Sequence, residues 1–148
     1  MLTEYNGSIF AAEAEGDQVH LRTRTPTRGF QRRRNWHGAD YYEKTVPMAE
    51  TDGLFTATFL TYADNRVLFI NGVRNGYVDV TCRDQKYAET HGFSGHQRGT
   101  WKSTRPADSF DTFQLVQSFE NSSIEKVTKI DRRQLPDLWR KYVGEVAN

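Results

Sequence analysis

Residues 8–25, SIFAAEAEGDQVHLRTRT, determine the class of fold that this sequence predicts. The segment from Ser8 to Ala14 is short and largely apolar, and Glu15-Gly16-Asp17 is a cluster of turn-forming residues. From Val19 to Thr25, apolar or threonine side chains alternate with strongly polar ones, which is the two-residue period of a strand with one buried and one wet face. The stretch therefore predicts a β-hairpin.

Further β-prone segments follow this hairpin, separated by turns rich in Gly, Asn, Asp and Pro. They alternate or carry β-branched and aromatic side chains, as half-buried strands do. Cys82 has the parity of Val78 and Val80, so its thiol is predicted to face inward. The predicted strands are Tyr41–Val46, Leu54–Tyr62, Arg66–Ile70 and Tyr77–Cys82.

The C-terminal segment differs because its apolar residues recur at intervals of three and four, which indicates an amphipathic helix. Asp131-Arg-Arg-Gln134 has the spacing of a capping box. Pro136 lacks the N–H needed in a helix interior, so the regular helix begins at the capping box or at Pro136 itself. The apolar stripe predicted to pack against the β-structure is Leu135, Leu138, Trp139, Tyr142, Val143 and Val146.

Comparison of the sequence with itself indicates an internal repeat. A shift of 59 places aligns Val19 with Val78 and Leu21 with Val80. The Gly-Phe pair at residues 29–30 matches residues 92–93 when a gap of four is allowed. The same shift aligns Arg24 with Arg83, Tyr42 with Trp101, Thr45 with Thr104, Pro47 with Pro106, Asp52 with Asp111, and Leu54 with Phe113.

The predicted fold class is mainly β, with antiparallel meanders from an internal duplication of about 59 residues and one C-terminal α-helix. Two packings fit this pattern: two SH3-like or half-barrel units, which we favour, or one antiparallel barrel of about eight to nine strands. The predicted organisation is a first β unit at residues 1–60, a second at 61–120, and a final strand with the helix at 121–148, together in one compact domain.

Composition narrows the classes of protein. The chain has 148 residues, of which 36% are hydrophobic and 26% charged, so a multidomain enzyme and a disordered chain are excluded. Cys82 is the only cysteine, which rules out an internal disulfide and favours a reducing compartment. Glu4 stands where a signal peptide would carry a basic residue, and no apolar run is long enough to span a membrane. We therefore expect a soluble cytoplasmic protein without membrane association.

The segment after the first hairpin, which we interpret as a loop, is strongly basic although the whole chain has a net charge of only +1. Between Asp17 and Asp40 there is no acidic residue, and removing the six arginines found there leaves −5 on the rest of the chain. Guanidinium groups fork onto carboxylate or phosphate, and aromatic rings nearby add stacking surfaces. The predicted binding residues are Arg22, Arg24, Arg28, Phe30, Arg32, Arg33, Arg34 and Trp36.

The sequence contains no recognisable catalytic motif. There is no Gly-x-Ser-x-Gly, no phosphate-binding loop and no dinucleotide fingerprint. His91 and His96 lie five apart in a Gly-rich loop, and this spacing matches no closed zinc set. An inward Cys82 is predicted to be inert. We expect no catalytic residue, no metal and no cofactor.

Several segments, together with the short terminal helix, resemble small bacterial immunity proteins that neutralise a toxin. Those segments are Tyr5-Asn6-Gly7, Val19–Thr23, Gly29-Phe30 and Tyr42–Pro47. The resemblance implies a stoichiometric cytoplasmic inhibitor without chemistry of its own, which binds one cognate toxin through charge complementarity and buried aromatic side chains. The net charge near zero departs from the acidic character common among nuclease inhibitors, which argues against a nuclease as the target.

Three functions follow from these patterns. The first is an immunity-type protein that binds a cognate toxin with an acidic surface. The second is a nucleic-acid-binding module whose arginines contact phosphates while Phe30 or Trp36 stacks under bases. The third is a lipocalin-like barrel for a small ligand, which requires a single closed barrel around an apolar cavity.

Overall fold

The computed structural model describes residues 1–144 and 146, with the backbone alone at positions 96 and 97. The chain divides into two compact units, each mainly antiparallel β-structure. The first unit contains residues 1–57, 118–125 and the described part of 137–148, and the second contains residues 58–117 and 126–136. The mainly β antiparallel fold is thus confirmed.

The strands, in chain order, are β1 (Leu2–Tyr5), β2 (Ser8–Glu15), β3 (Gln18–Thr23), β4 (Gln31–Arg34), β5 (Asp40–Pro47), β6 (Leu54–Ala63), β7 (Arg66–Arg74), β8 (Tyr77–Cys82), β9 (Ser94–Gln97), β10 (Thr100–Pro106), β11 (Phe113–Phe119) and β12 (Glu125–Ile130). The helices are α1 (Gln85–Thr90) and α2 (Leu135–Trp139), and α2 continues into a π-helical segment, Arg140–Gly144.

Strand order is open in both units. In the first unit the order is β4-β5-β3-β2-β1, and β1 pairs with the start of β6 at Leu54 and Phe55. In the second unit the order is β6-β7-β8-β10-β9, while β11 pairs with β6 and β12. Within the described residues, neither order returns to its first strand, so the closed-barrel packing is not found in either unit.

The two units pair their strands in the same way. Every pair between β3 and β5 recurs between β8 and β10 at the offset that aligns the two halves of the sequence: His20 faces Thr45, and Asp79 faces Thr104. The pairs between β1 and β2 recur between β6 and β7 at an offset smaller by one. A β-bulge in β7 between Ile70 and Gly72 accounts for this difference. The equivalence is a property of the fold, whereas its origin by duplication stays a prediction.

Each unit buries the alternate residues that the sequence pattern indicates. Val19 and Leu21 of β3 are fully buried in the first unit, with Phe10 and Val46 around them. In the second unit, the equivalent Val78 and Val80 of β8 are fully buried, and so is Cys82, which confirms the inward thiol. The other buried residues of the second unit include Leu68, Ile70, Phe110, Phe113, Leu115, Ile130 and Leu135.

The C-terminal helix is confirmed, and its start is a capping box. The backbone N–H of Asp131 donates to Oε1 of Gln134 at 3.0 Å, and Oδ1 of Asp131 accepts from the N–H of Arg133 at 3.0 Å. Regular helix begins at Leu135, so Pro136 lies in the first turn, where no intrahelical donor is needed. In the first unit, Val146 packs with Ile9 and Phe55.

Four elements lie outside the sequence prediction. One is β9, which lies in the segment interpreted from sequence as a Gly-rich loop. The basic segment after β3, interpreted from sequence as a loop, contains β4. The short strand β1 and the helix α1 were also absent from the prediction. Asp84 caps α1, because its Oδ1 accepts from the N–H of Tyr87 at 3.0 Å.

Candidate binding site

The arginine-rich segment forms a β-hairpin in the first unit. Strand β4 pairs antiparallel with β5, with Arg32 opposite Tyr42 and Arg34 opposite Asp40. All four residues of β4 are exposed, and β4 is the edge strand of its unit. Charged side chains on an edge strand discourage further strand addition, so the arginines have a structural use as well as a binding potential.

The tip of this hairpin is held by Asn35. Its side-chain oxygen accepts from the N–H groups of His37 at 3.0 Å and Ala39 at 2.9 Å. The N–H of Asn35 donates to the carbonyl of Ala39 at 2.9 Å, and Gly38 has a φ of 83°, a conformation that glycine adopts readily. These bonds fix the loop that carries Trp36.

Trp36 is the most exposed large apolar side chain described in this chain, at 89% of its full accessible area. Its ring lies 3.6 Å from that of His37. Tryptophan is highly buried on average in folded proteins, so this exposure is unusual, and tryptophan is enriched among the residues that dominate the affinity of protein interfaces. The hairpin therefore presents an exposed aromatic ring at its tip, beyond the end of the arginine-bearing strand β4.

The register of β4 and β5 divides the arginines between two faces of the hairpin. Residues directly opposite share a face, and neighbours along a strand alternate, so Arg32 and Arg34 lie on the face of Asp40. Arg33 lies on the other face with Arg22 and Glu43, because Arg22 of β3 is opposite Glu43. The predicted patch is thus not a single surface.

Each face of the hairpin carries its own carboxylate. The guanidinium of Arg32 donates to Oδ2 of Asp40 at 2.7 Å, and Arg34 reaches Oδ1 of Asp40 at 3.5 Å. Arg33 donates to Oε1 of Glu43 at 2.8 Å. All three arginine side chains stay about half exposed or more, and ion pairs exposed to solvent contribute little to stability. A partner's carboxylate can therefore replace these pairs at small cost.

The Arg32 hydrogen bond lowers the pKa of Asp40 below its ordinary value of 3.8. We expect Arg32→Gln to raise that pKa, because the donor that stabilises the carboxylate is lost. Since the folded-state pKa is the lower one, the stabilisation is present above the ordinary pKa and is lost as pH falls through the lowered one. A carbon-13 NMR titration of the Asp40 carboxyl measures the change.

Arg33→Gln is the matched control for this titration. It removes the same charge from the same strand but pairs with Glu43, so the Asp40 pKa should stay low. An Asp40 pKa that is unaltered by Arg32→Gln would contradict the pairing.

The other predicted binding residues have different positions. Arg22, Arg24 and Arg28 are exposed, and within residues 1–144 they form no side-chain ion pair. Phe30 is half-buried and stacks on Phe10, with ring centroids 4.9 Å apart. It packs against the core of the first unit and does not join Trp36.

A second polar arrangement in the first unit was not predicted from sequence. His20 lies between Glu15 and Thr45: Nε2 is 2.6 Å from Oε2 of Glu15, and Nδ1 is 2.8 Å from Oγ1 of Thr45. Carboxylate, imidazole and hydroxyl stand in the order used by hydrolytic triads. No sequence signal identifies this arrangement, because His20 meets Thr45 only through the register of β3 against β5.

The second unit repeats this arrangement with other groups. Asp79 takes the place of His20, accepts from Oγ1 of Thr104 at 2.6 Å and pairs with Arg74 at 3.4 Å. These three positions are equivalent to those of the first unit by the repeated strand pairing, and they contain no imidazole base. Strand register is therefore sufficient to explain the contacts of Glu15, His20 and Thr45.

The cysteine and histidine residues considered from sequence do not form a catalytic or metal-binding site within the described residues. Cys82 is buried and its Sγ lies within 3.5 Å of backbone atoms of Asp84. Among the residues whose side chains are described, no three His, Cys, Asp or Glu are placed to hold a metal ion. The His96 side chain lies outside the described residues.

Comparison with known proteins leaves the function to be argued from geometry. No protein-family model, no curated protein and no solved structure matches this chain. None of the helices in the described residues has the length and apolar character needed to cross a lipid bilayer.

Proposed function

We propose that this protein is a non-catalytic binding protein that docks a partner protein with an acidic surface through the β4–β5 hairpin. The observation that carries the proposal is the 89% exposed Trp36 on a tip fixed by Asn35. Tryptophan and arginine are enriched among the few residues that dominate the affinity of protein interfaces. A fixed tip also limits the entropy lost on binding.

The charge distribution favours a protein partner over a nucleic acid. Asp40 and Glu43 pair with the hairpin arginines and lower the net positive charge of each face, whereas nucleic-acid binding draws its affinity mainly from a concentration of such charge. Phe30, the second aromatic ring expected to stack on bases, is packed on Phe10 instead. A partner protein that carries carboxylates next to an apolar pocket suits both the arginines and Trp36.

Within this class, an immunity-type inhibitor that neutralises a cognate toxin is the specific function we propose. Support comes from the resemblance of the sequence segments and from the presentation of a rigid binding hairpin on a β-scaffold. The buried free thiol of Cys82 suits a reducing compartment, and we propose the cytoplasm. The lipocalin-like alternative lacks the closed barrel that it requires, since neither unit has a closed strand order within the described residues.

The test is a charge reversal on β4, Arg33→Glu with Arg34→Glu. The partner is first captured from the native host with the wild-type protein, then purified and measured by stopped-flow kinetics at several salt concentrations. We expect the association rate to fall by about tenfold at low salt and by less at high salt, because exposed charges steer association and are screened by ions.

Arg132→Glu with Arg133→Glu is the matched control, since it reverses two adjacent exposed arginines in the second unit. The control should leave the association rate near the wild-type value. The proposal fails if capture returns only nucleic acid, or if single-stranded oligonucleotides bind with a salt slope that falls by about 0.7 for each arginine removed.

A further inference from the structure

Strand β12, Glu125–Ile130, has one unpaired edge. It pairs with β11, and in the described chain no strand lies on its other side. Its first five residues are exposed, including Val127 at 56%. The strand contains no proline, so it keeps every backbone donor, and its two lysines, Lys126 and Lys129, discourage pairing only with strands that do not match their charge. Its unpaired backbone N–H and C=O groups are therefore available to another strand.

The repeated strand pairing shows what is missing at this edge. Three hairpins follow one another along the chain: β1–β2, β6–β7 and β11–β12. In the first two, the second strand pairs with the next strand, so β2 pairs with β3 and β7 pairs with β8. After β12 the chain enters the capping box of α2 instead. The third hairpin thus lacks the strand that completes the other two.

The charges of β12 select one register for a second copy of the same strand. In an antiparallel pair centred on Val127, Glu125 lies opposite Lys129 of the other copy, twice by symmetry. Lys126 then faces Thr128. A pair centred between Val127 and Thr128 would instead place Lys126 opposite Lys129, which are both positive. A pair centred on Thr128 would place Glu125 opposite Asp131, which are both negative. Opposite charges directly across strands stabilise a pair, and like charges destabilise it.

We propose that β12 pairs antiparallel with β12 of a second copy of this chain, centred on Val127. Val127 packs against its counterpart, and Glu125 forms cross-strand ion pairs with Lys129 at both ends. The lysines keep the edge from pairing with unmatched strands, because only an acidic residue at the right position neutralises Lys129. A strand pair of this length is small beside the roughly 1,200–2,000 Å² of stable interfaces, so the dimer is weak and depends on concentration.

Sedimentation velocity tests this pairing on the full chain, at concentrations up to about 1 mM, which reach the weakest range of protein association. We expect Lys129→Glu to raise the dimer dissociation constant by about tenfold, because both ion pairs become like-charge contacts. Lys126→Glu makes the same charge change opposite Thr128 and should have little effect. The double variant Glu125→Lys with Lys129→Glu should restore the wild-type constant.

Two further results bear on the proposal. Val127→Glu should abolish the dimer while leaving the circular dichroism spectrum intact, since that side chain is exposed in one copy. A wild-type protein that stays monomeric at every concentration would overturn the proposal, and so would a dimer that responds equally to Lys126→Glu and Lys129→Glu. None of these measurements involves the partner of the β4–β5 hairpin, so the two proposals succeed or fail separately.

Discussion

Phe55→Ala is expected to lower the free energy of unfolding by about 3–5 kcal/mol, the range found when a buried phenylalanine is truncated and a cavity remains. Phe55 is only 1% exposed in the first unit. It packs with Ile9 and Val146, and its ring centroid lies 5.4 Å from that of Phe119 and 6.2 Å from that of Tyr142. Urea unfolding followed by circular dichroism measures the change.

Trp36→Ala is the natural control for this measurement, because it removes a larger aromatic side chain that is almost fully exposed. Its effect on unfolding should stay within about 0.5 kcal/mol, as for other surface substitutions. Equal losses of stability for the two variants would contradict the packing described for Phe55 and the exposure described for Trp36.

Trp36→Ala has the smaller expected effect on stability, but it has a large expected effect on binding. We expect Trp36→Ala to weaken binding of the proposed partner by about 30-fold or more, since truncation of a central interface tryptophan commonly costs about 2 kcal/mol or more. The physical reason is that the apolar area of Trp36 is still exposed in the free protein, so its burial adds to the free energy of binding and not to that of folding. Isothermal titration with the purified partner gives the dissociation constant.

Tyr77→Ala serves as the matched comparison in that titration. Tyr77 is an exposed aromatic residue of β8 in the second unit, at 49% exposure, and its loss should leave the dissociation constant unchanged. A Trp36→Ala variant that binds within about twofold of the wild type would remove the hairpin tip from the interface.

The strands that were predictable from sequence are those in which one face is buried. β3 and β8 alternate because Val19, Leu21, Val78 and Val80 face a core. β4 was missed because its residues, QRRR, are polar on both faces, and an edge strand of this kind is defined only by its pairing with β5. The helix α1 is too short to show a helical period, and its N-cap Asp84 also reads as a turn residue.

The candidate site was predictable in its composition but not in its arrangement. The run of arginines is visible in the sequence, but its division between two faces depends on the register of β4 against β5. Phe30 and Trp36 are equivalent as sequence features, and only the fold places Phe30 on Phe10 of β2. Likewise, His20 meets Thr45 because β3 and β5 are neighbours in the first unit.

The single thiol of the chain offers a way to observe one unit without the other. Cys82 is sealed inside the second unit at 1% exposure, so a sulfhydryl reagent can modify it only when that unit opens. The rate of labelling under native conditions then reports the opening equilibrium of the second unit. The same rate can be measured in core variants of the first unit, such as Phe55→Ala. A faster labelling of Cys82 in such a variant would mean that the two units unfold together, and an unchanged rate would mean that they unfold in turn.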